Sequence, residues 1–170
     1  MADRSYSESA LVQFSERLTN SAAFGALFRE GMDLVEETAA YLDGDGRTEA
    51  KALERSVSLT YATESMRLTT RLMQLASWLL LHRAVKEGEM TLTQANREKT
   101  KVKLSAADPG PEDMVTKLPA QLQGLIARSM SLQARVRRLD TTIHAPPAER
   151  PPIGNPLVPQ LNRLKAAFEQ

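Results

Sequence analysis

The chain contains no cysteine. That excludes disulfides, thiol catalysis and thiolate metal sites, and it fits a reducing compartment. Histidine is nearly absent as well: among 170 residues there are two, His82 and His144. They stand in separate segments, and spacing gives neither a serine nor a metal partner. His82 falls on the seam of a helix, where a structural role is expected. Aromatic residues are few, and Trp78 is the single tryptophan. The glycine motifs that cradle dinucleotides or phosphates are missing, as are GxSxG and HExxH. The chain is therefore expected to be no enzyme and to carry no cofactor or metal. Long hydrophobic runs are also missing. The longest uncharged apolar run, Leu72 to His82, is closed by Arg71 and Arg83 and falls short of the ~20 residues that span a bilayer. Met1 to Ser5 lack a positive flank followed by an apolar run, so a signal peptide is not expected. These absences point to a soluble, cytoplasmic protein.

What is present is helical patterning. Arg47 to Glu87 reads as one long central helix, with a seam through Val57, Tyr61, Ser65, Leu68, Leu72, Leu75, Leu79 and His82. Its four-three alternation is the rhythm of packed helices. A second apolar row runs through Leu59, Met66, Met73 and Leu80. From Leu72 to Leu81 nearly every face is apolar, so the helix must be covered on most sides. Tyr61, Leu68, Leu72, Leu75, Trp78 and Leu79 are its expected core and dimer seam. Gly88 is placed to end it.

Two further helices complete an all-α, antiparallel three-helix bundle over residues 1–143. The first covers about 21–42, capped by Asn20 or Ser21, with a seam of Phe24, Phe28, Gly31, Val35, Thr38 and Leu42. Gly25 and Gly31 near this side predict close packing. The third covers about 119–139, opening at Pro119, with Leu118, Leu122, Leu125, Ser129, Leu132, Val136, Leu139 and Ile143 as its seam. A short arm with Leu11, Phe14 and Leu18 precedes the bundle, and a helix can start at Thr91 or Thr93. A central helix of 41 residues would be about 60 Å long and the first helix about 33 Å. One partner cannot cover the other, which favours a homodimer.

Asp43-Gly44-Asp45-Gly46 reads as a turn whose glycines supply positive φ. Asp43, Asp45 and Glu54 occupy positions 1, 3 and 12 of a calcium loop, but Arg47 and Thr48 stand where a ligand and glycine are needed. Calcium binding is not expected. Glu64, with Arg67 and Arg71, is placed to form a polar network beside the seam.

Residues 144–170 change character. Six prolines fall between Pro146 and Pro159, which predicts an extended, disordered tail. At its end Leu157, Leu161, Leu164 and Phe168 recur at helical spacing, as a short hook for a partner groove.

Charge is split along the chain. Residues 1–60 hold 6 Lys+Arg against 11 Asp+Glu, and residues 61–170 hold 16 against 10. Arg135, Arg137 and Arg138, with Arg67, Arg71 and Arg83, make basic faces. An alternative reading is therefore a DNA-associated regulatory helical dimer, although no nucleic-acid motif accompanies them.

One stretch is more specific. Ala23-Phe24-Gly25-Ala26-Leu27-Phe28-Arg29-Glu30-Gly31-Met32, Leu34 to Gly44, and Tyr61 to Gln74 with its Ser-Met-Arg-Leu-Thr-Thr-Arg-Leu-Met run resemble the alphaproteobacterial family named for regulation of CtrA degradation, RcdA. The likeness continues through Ala76 to Leu80 and covers about Ala23 to Leu104. It implies a non-enzymatic adaptor that helps deliver cell-cycle regulators, transcription factors among them, to the ClpXP protease. It also implies partners: protease primed by a receiver-domain protein, cargo, and a further adaptor responsive to cyclic di-GMP.

Overall fold

The computed structural model describes residues 21–99 and 111–144. The N-terminal arm and the tail, with Leu157, Leu161, Leu164 and Phe168, lie outside the described residues. Within them the chain is all helical: α1 Ala22–Asp43, α2 Asp45–Lys51, α3 Arg55–Lys86, α4 Leu92–Lys99, α5 Glu112–Val115 and α6 Ala120–His144. α1, α3 and α6 pack on one another as the three-helix bundle. α2 folds against α1, and α4 packs on α3.

Ser21 caps α1, its hydroxyl accepting the Phe24 N–H at 3.2 Å. The stripe α1 buries is Phe24, Leu27, Gly31, Leu34, Thr38 and Tyr41. The expected Phe28, Val35 and Leu42 are only partly buried at its margin. Gly31 explains the rotation. A Cβ there would sit 2.4 Å from Leu79 Cδ1, so its bare backbone admits α3 most closely along this line. Gly25 meets nothing within 4 Å, so it takes no part in that approach.

The central helix is shorter than its pattern suggests. Residues 47–87 are not one helix: α2 stops at Lys51 and α3 starts at Arg55. No proline or glycine breaks the chain there. The interruption lets α2 turn back onto α1 while Leu53 packs against the core. Gly46 makes this possible by its size, because a Cβ there would lie 2.6 Å from the Tyr61 hydroxyl and 2.7 Å from the Tyr41 carbonyl oxygen. Neither Gly44 (φ −111°) nor Gly46 has positive φ; among the described residues that conformation belongs to Gly88 alone, at 75°. Gly88 closes α3 as expected. Asp43 pairs with Arg47 at 3.0 Å, which uses one carboxylate of the calcium frame against its own misfit cation.

α3, at 32 residues, spans about 48 Å. α4 covers part of what α1 leaves bare. It opens with a capping box, in which the Thr91 hydroxyl accepts from the Gln94 N–H and the Gln94 amide oxygen accepts from the Thr91 N–H. α6 runs to His144 rather than to 139. Ile143 is buried and anchors the added turn, and the Thr141 and Thr142 hydroxyls bond back to the Arg137 and Arg138 carbonyls. No described helix is long and apolar enough to cross a membrane.

Candidate functional site

Tyr61, Leu68, Leu72, Leu75, Trp78 and Leu79 are spent inside one chain. Five are fully buried against α1 and α6, and Tyr61 is partly buried at the α2 end. The apolar face of α3 left exposed is the other row. Leu59, Met66, Met73 and Leu80 are 71, 72, 66 and 52% exposed. They recur every seven residues, so they form one stripe along the helix. Between them lie small side chains, and three of their hydroxyls are already used. Thr63 donates to the Leu59 carbonyl, Thr69 to Ser65 and Ser77 to Met73, at 2.8–3.0 Å. With these three hydroxyls turned to their own helix, the stripe presents mainly methyl, methylene and thioether groups. Exposed apolar rows of this length are a feature of surfaces that meet other molecules.

Beneath it the bundle carries the anticipated polar network. Glu64 is buried and pairs with Arg67 at 2.8 Å. Arg71 is buried and donates from Nη1 to Ser129 Oγ at 2.7 Å. Burial pushes the Arg71 guanidinium down, and Glu64 opposes that shift. On the outer side Arg128 pairs with Glu37, and Arg135 with Glu30, tying α6 to α1. Arg83 pairs with Glu87 and lies 4.9 Å over the Phe28 ring. Arg137 and Arg138 line a shallow open hollow with Ala134, Thr141 and Thr142.

A second cluster was not visible in the sequence. The last turn of α6 brings His144 and Asp140 to Trp78 and His82 of α3, with Lys99 of α4 alongside. The Trp78 Nε1–H donates to Asp140 Oδ1 at 2.8 Å, and Lys99 Nζ meets Oδ2 at 2.7 Å. His82 is wholly buried and stacks on the indole, ring centroids 3.9 Å apart. Its Nδ1 lies 2.9 Å from the Trp78 carbonyl, which can only accept, so that nitrogen carries the proton. Its Nε2 lone pair faces His144 Nε2 at 3.3 Å. Burial holds both imidazoles below their ordinary range, with Lys99 adding to the effect; His144 is pushed down to about 4. The two histidines are 62 residues apart, so only the return of α6 onto α3 joins them.

A family profile described as "Protein of unknown function (DUF1465)" matches residues 15–168. The crystal structure of RcdA from Caulobacter crescentus CB15 is similar to this chain at 49% identity and a TM-score of 0.62, covering 75% of this chain and 96% of that one. The chain belongs to the RcdA family. No curated protein matches it by sequence. In this RcdA-family chain the Ser65 to Met73 run that carried the resemblance contributes to both faces of α3. Leu68, Arg71 and Leu72 point into the bundle, and Met66, Thr69 and Met73 line the exposed stripe.

Proposed function

We propose that this chain is a non-enzymatic, cytoplasmic adaptor that helps deliver cell-cycle regulatory proteins, transcription factors among them, to the ClpXP protease. The observation that carries this reading is the 49% identity to RcdA over 96% of that chain. The bundle acts as a rigid platform between cargo and protease primed by a receiver-domain protein, with a cyclic di-GMP-responsive adaptor as a further partner. The tail, with Leu157, Leu161, Leu164 and Phe168, acts as a tethered hook. A short flexible tether raises the local concentration of what it holds to about the millimolar range, and this needs no catalytic residue.

The stripe on α3 is assigned to a second copy of the chain. Its four large side chains, Leu59, Met66, Met73 and Leu80, read the same in both directions about Thr69 and Thr70. A copy turned by a two-fold axis there sets Leu59 toward Leu80 and Met66 toward Met73, with Thr63 toward Ala76 between them. Such self-complementarity is what an isologous interface requires. The stripe itself is uncharged, so two copies meet without like charges opposed. Of the basic faces behind the DNA-associated alternative, Arg67, Arg71, Arg83 and Arg135 are engaged within the chain, which leaves that reading with Arg137 and Arg138 on an open hollow.

The test is degradation of a family cargo by ClpXP and its receiver-domain primer. It is run with no addition, with the full chain, and with a chain ending at His144. Acceleration by the full chain alone supports both adaptor and hook. Equal acceleration by both removes the hook, and no acceleration by either removes the adaptor.

A further inference from the structure

The chain has two histidines and no cysteine, and the fold brings both imidazoles to one point. There, three donor atoms converge with too few protons to join them. His82 Nδ1 is committed to the Trp78 carbonyl, so its Nε2 offers a bare lone pair. His144 Nε2 stands 3.3 Å from that nitrogen and 3.4 Å from Asp140 Oδ1. One proton on His144 cannot serve both acceptors well at these lengths. His144 Nδ1 is meanwhile buried without a hydrogen-bond partner. One ligand atom from each of His82, Asp140 and His144 lies within 4.8 Å of the others. A cation among His82 Nε2, His144 Nε2 and Asp140 Oδ1 accepts all three lone pairs at once, and the His144 proton then sits on Nδ1, outside the ligand set.

Two of the three donor separations, 3.3 and 3.4 Å through His144 Nε2, suit one geometry, and the third lies within 4.8 Å. Zinc bound tetrahedrally to nitrogen and oxygen at about 2.0–2.1 Å sets its donors about 3.3–3.4 Å apart. The supporting contacts are those that orient metal ligands. The Trp78 carbonyl holds the His82 tautomer, while the Trp78 indole and Lys99 hold the two carboxylate oxygens. Lys99 on Oδ2 leaves Oδ1 as the single ligating oxygen. The Asp140, His144 and Lys99 side chains are 16, 12 and 25% exposed, so the cluster is reached from solvent at its rim.

We propose that His82, Asp140 and His144 form a zinc site, with two imidazoles and one carboxylate as protein ligands and the fourth position left to water. The site staples the end of α6 to α3 beside α4. It is independent of the adaptor reading.

The test uses the untagged full chain, stripped with chelator and titrated with Zn²⁺ by calorimetry and by the fluorescence of Trp78, the one tryptophan. One saturable zinc per chain and a raised melting temperature are expected. His144→Gln abolishes saturable binding. X-ray absorption of the zinc-loaded wild-type chain, which needs no variant to fold, shows two imidazoles and no sulfur. Absence of saturable binding, unchanged binding in a folded His144→Gln chain, or fewer than two imidazoles on the metal overturns the proposal.

Discussion

At the scale of single residues, space decides more than residue type. Gly25, Gly31 and Gly124 all look alike in a helical pattern. Only Gly31 faces an obstacle, Leu79 Cδ1 at 2.4 Å from an added Cβ, while the other two face open space. Gly31→Ala is expected to destabilise the chain by about 1–3 kcal/mol through overpacking, because Leu79 is fully buried and has little room to retreat. Gly25→Ala and Gly124→Ala are expected to stabilise it by up to about 1 kcal/mol each. Denaturant midpoints of the three variants check the ordering. Tyr41 gives a pH-dependent effect. Burial, reinforced by its hydrogen bond to Glu49 at 2.7 Å, raises its phenol above the ordinary 10.0. The stability held by the neutral phenol is complete below pH 10. Above that it is lost, as the unfolded chain ionises and the folded one resists. An alkaline melting series is expected to fall more steeply for the wild type than for Tyr41→Phe.

At the scale of elements, the three main helices were legible because their apolar periodicity is strong, and their ends were less so. Ser21 and Gly88 are local signals and were readable as caps. The break at 52–54 has no local signal, since it arises from α2 docking on Tyr41 and Tyr61 through Gly46. The last turn of α6 is likewise held from a distance, by Ile143 in the core and by Trp78 on Asp140. Trp78→Phe keeps most of the ring but removes the N–H to that carboxylate. A loss of about 1.5–3 kcal/mol is expected, the range for a hydrogen bond to a charged group, together with fraying of α6 seen as faster amide exchange near 140–144. The α1–α6 pairs of Glu30 and Glu37 are exposed. Glu30→Gln and Glu37→Gln are expected to cost less than about 1 kcal/mol each, and nothing measurable in high salt.

At the scale of the whole molecule, the stripe of Leu59, Met66, Met73 and Leu80 is the face proposed above for association. Met66 and Met73 are 72 and 66% exposed, so charging them leaves the core intact. The double variant Met66→Lys, Met73→Lys is expected to sediment as a monomer at concentrations where the wild type is a dimer. Its thermal unfolding should keep the cooperativity of the dissociated wild type. A wild-type chain that stays monomeric at high concentration would remove the dimer.

By itself the sequence determined the helical class, the membership signalled by the Ser65 to Met73 run, and the two apolar rows of the central helix. These are local properties, set by periodicity and residue identity within a few turns. Only the tertiary structure decided that the first row is filled within one chain, leaving the second row facing water. Both rows are apolar, and the choice depends on where α1 and α6 lie. It alone brought His82 to His144, because contact across 62 residues depends on the crossing and length of helices that no local pattern encodes.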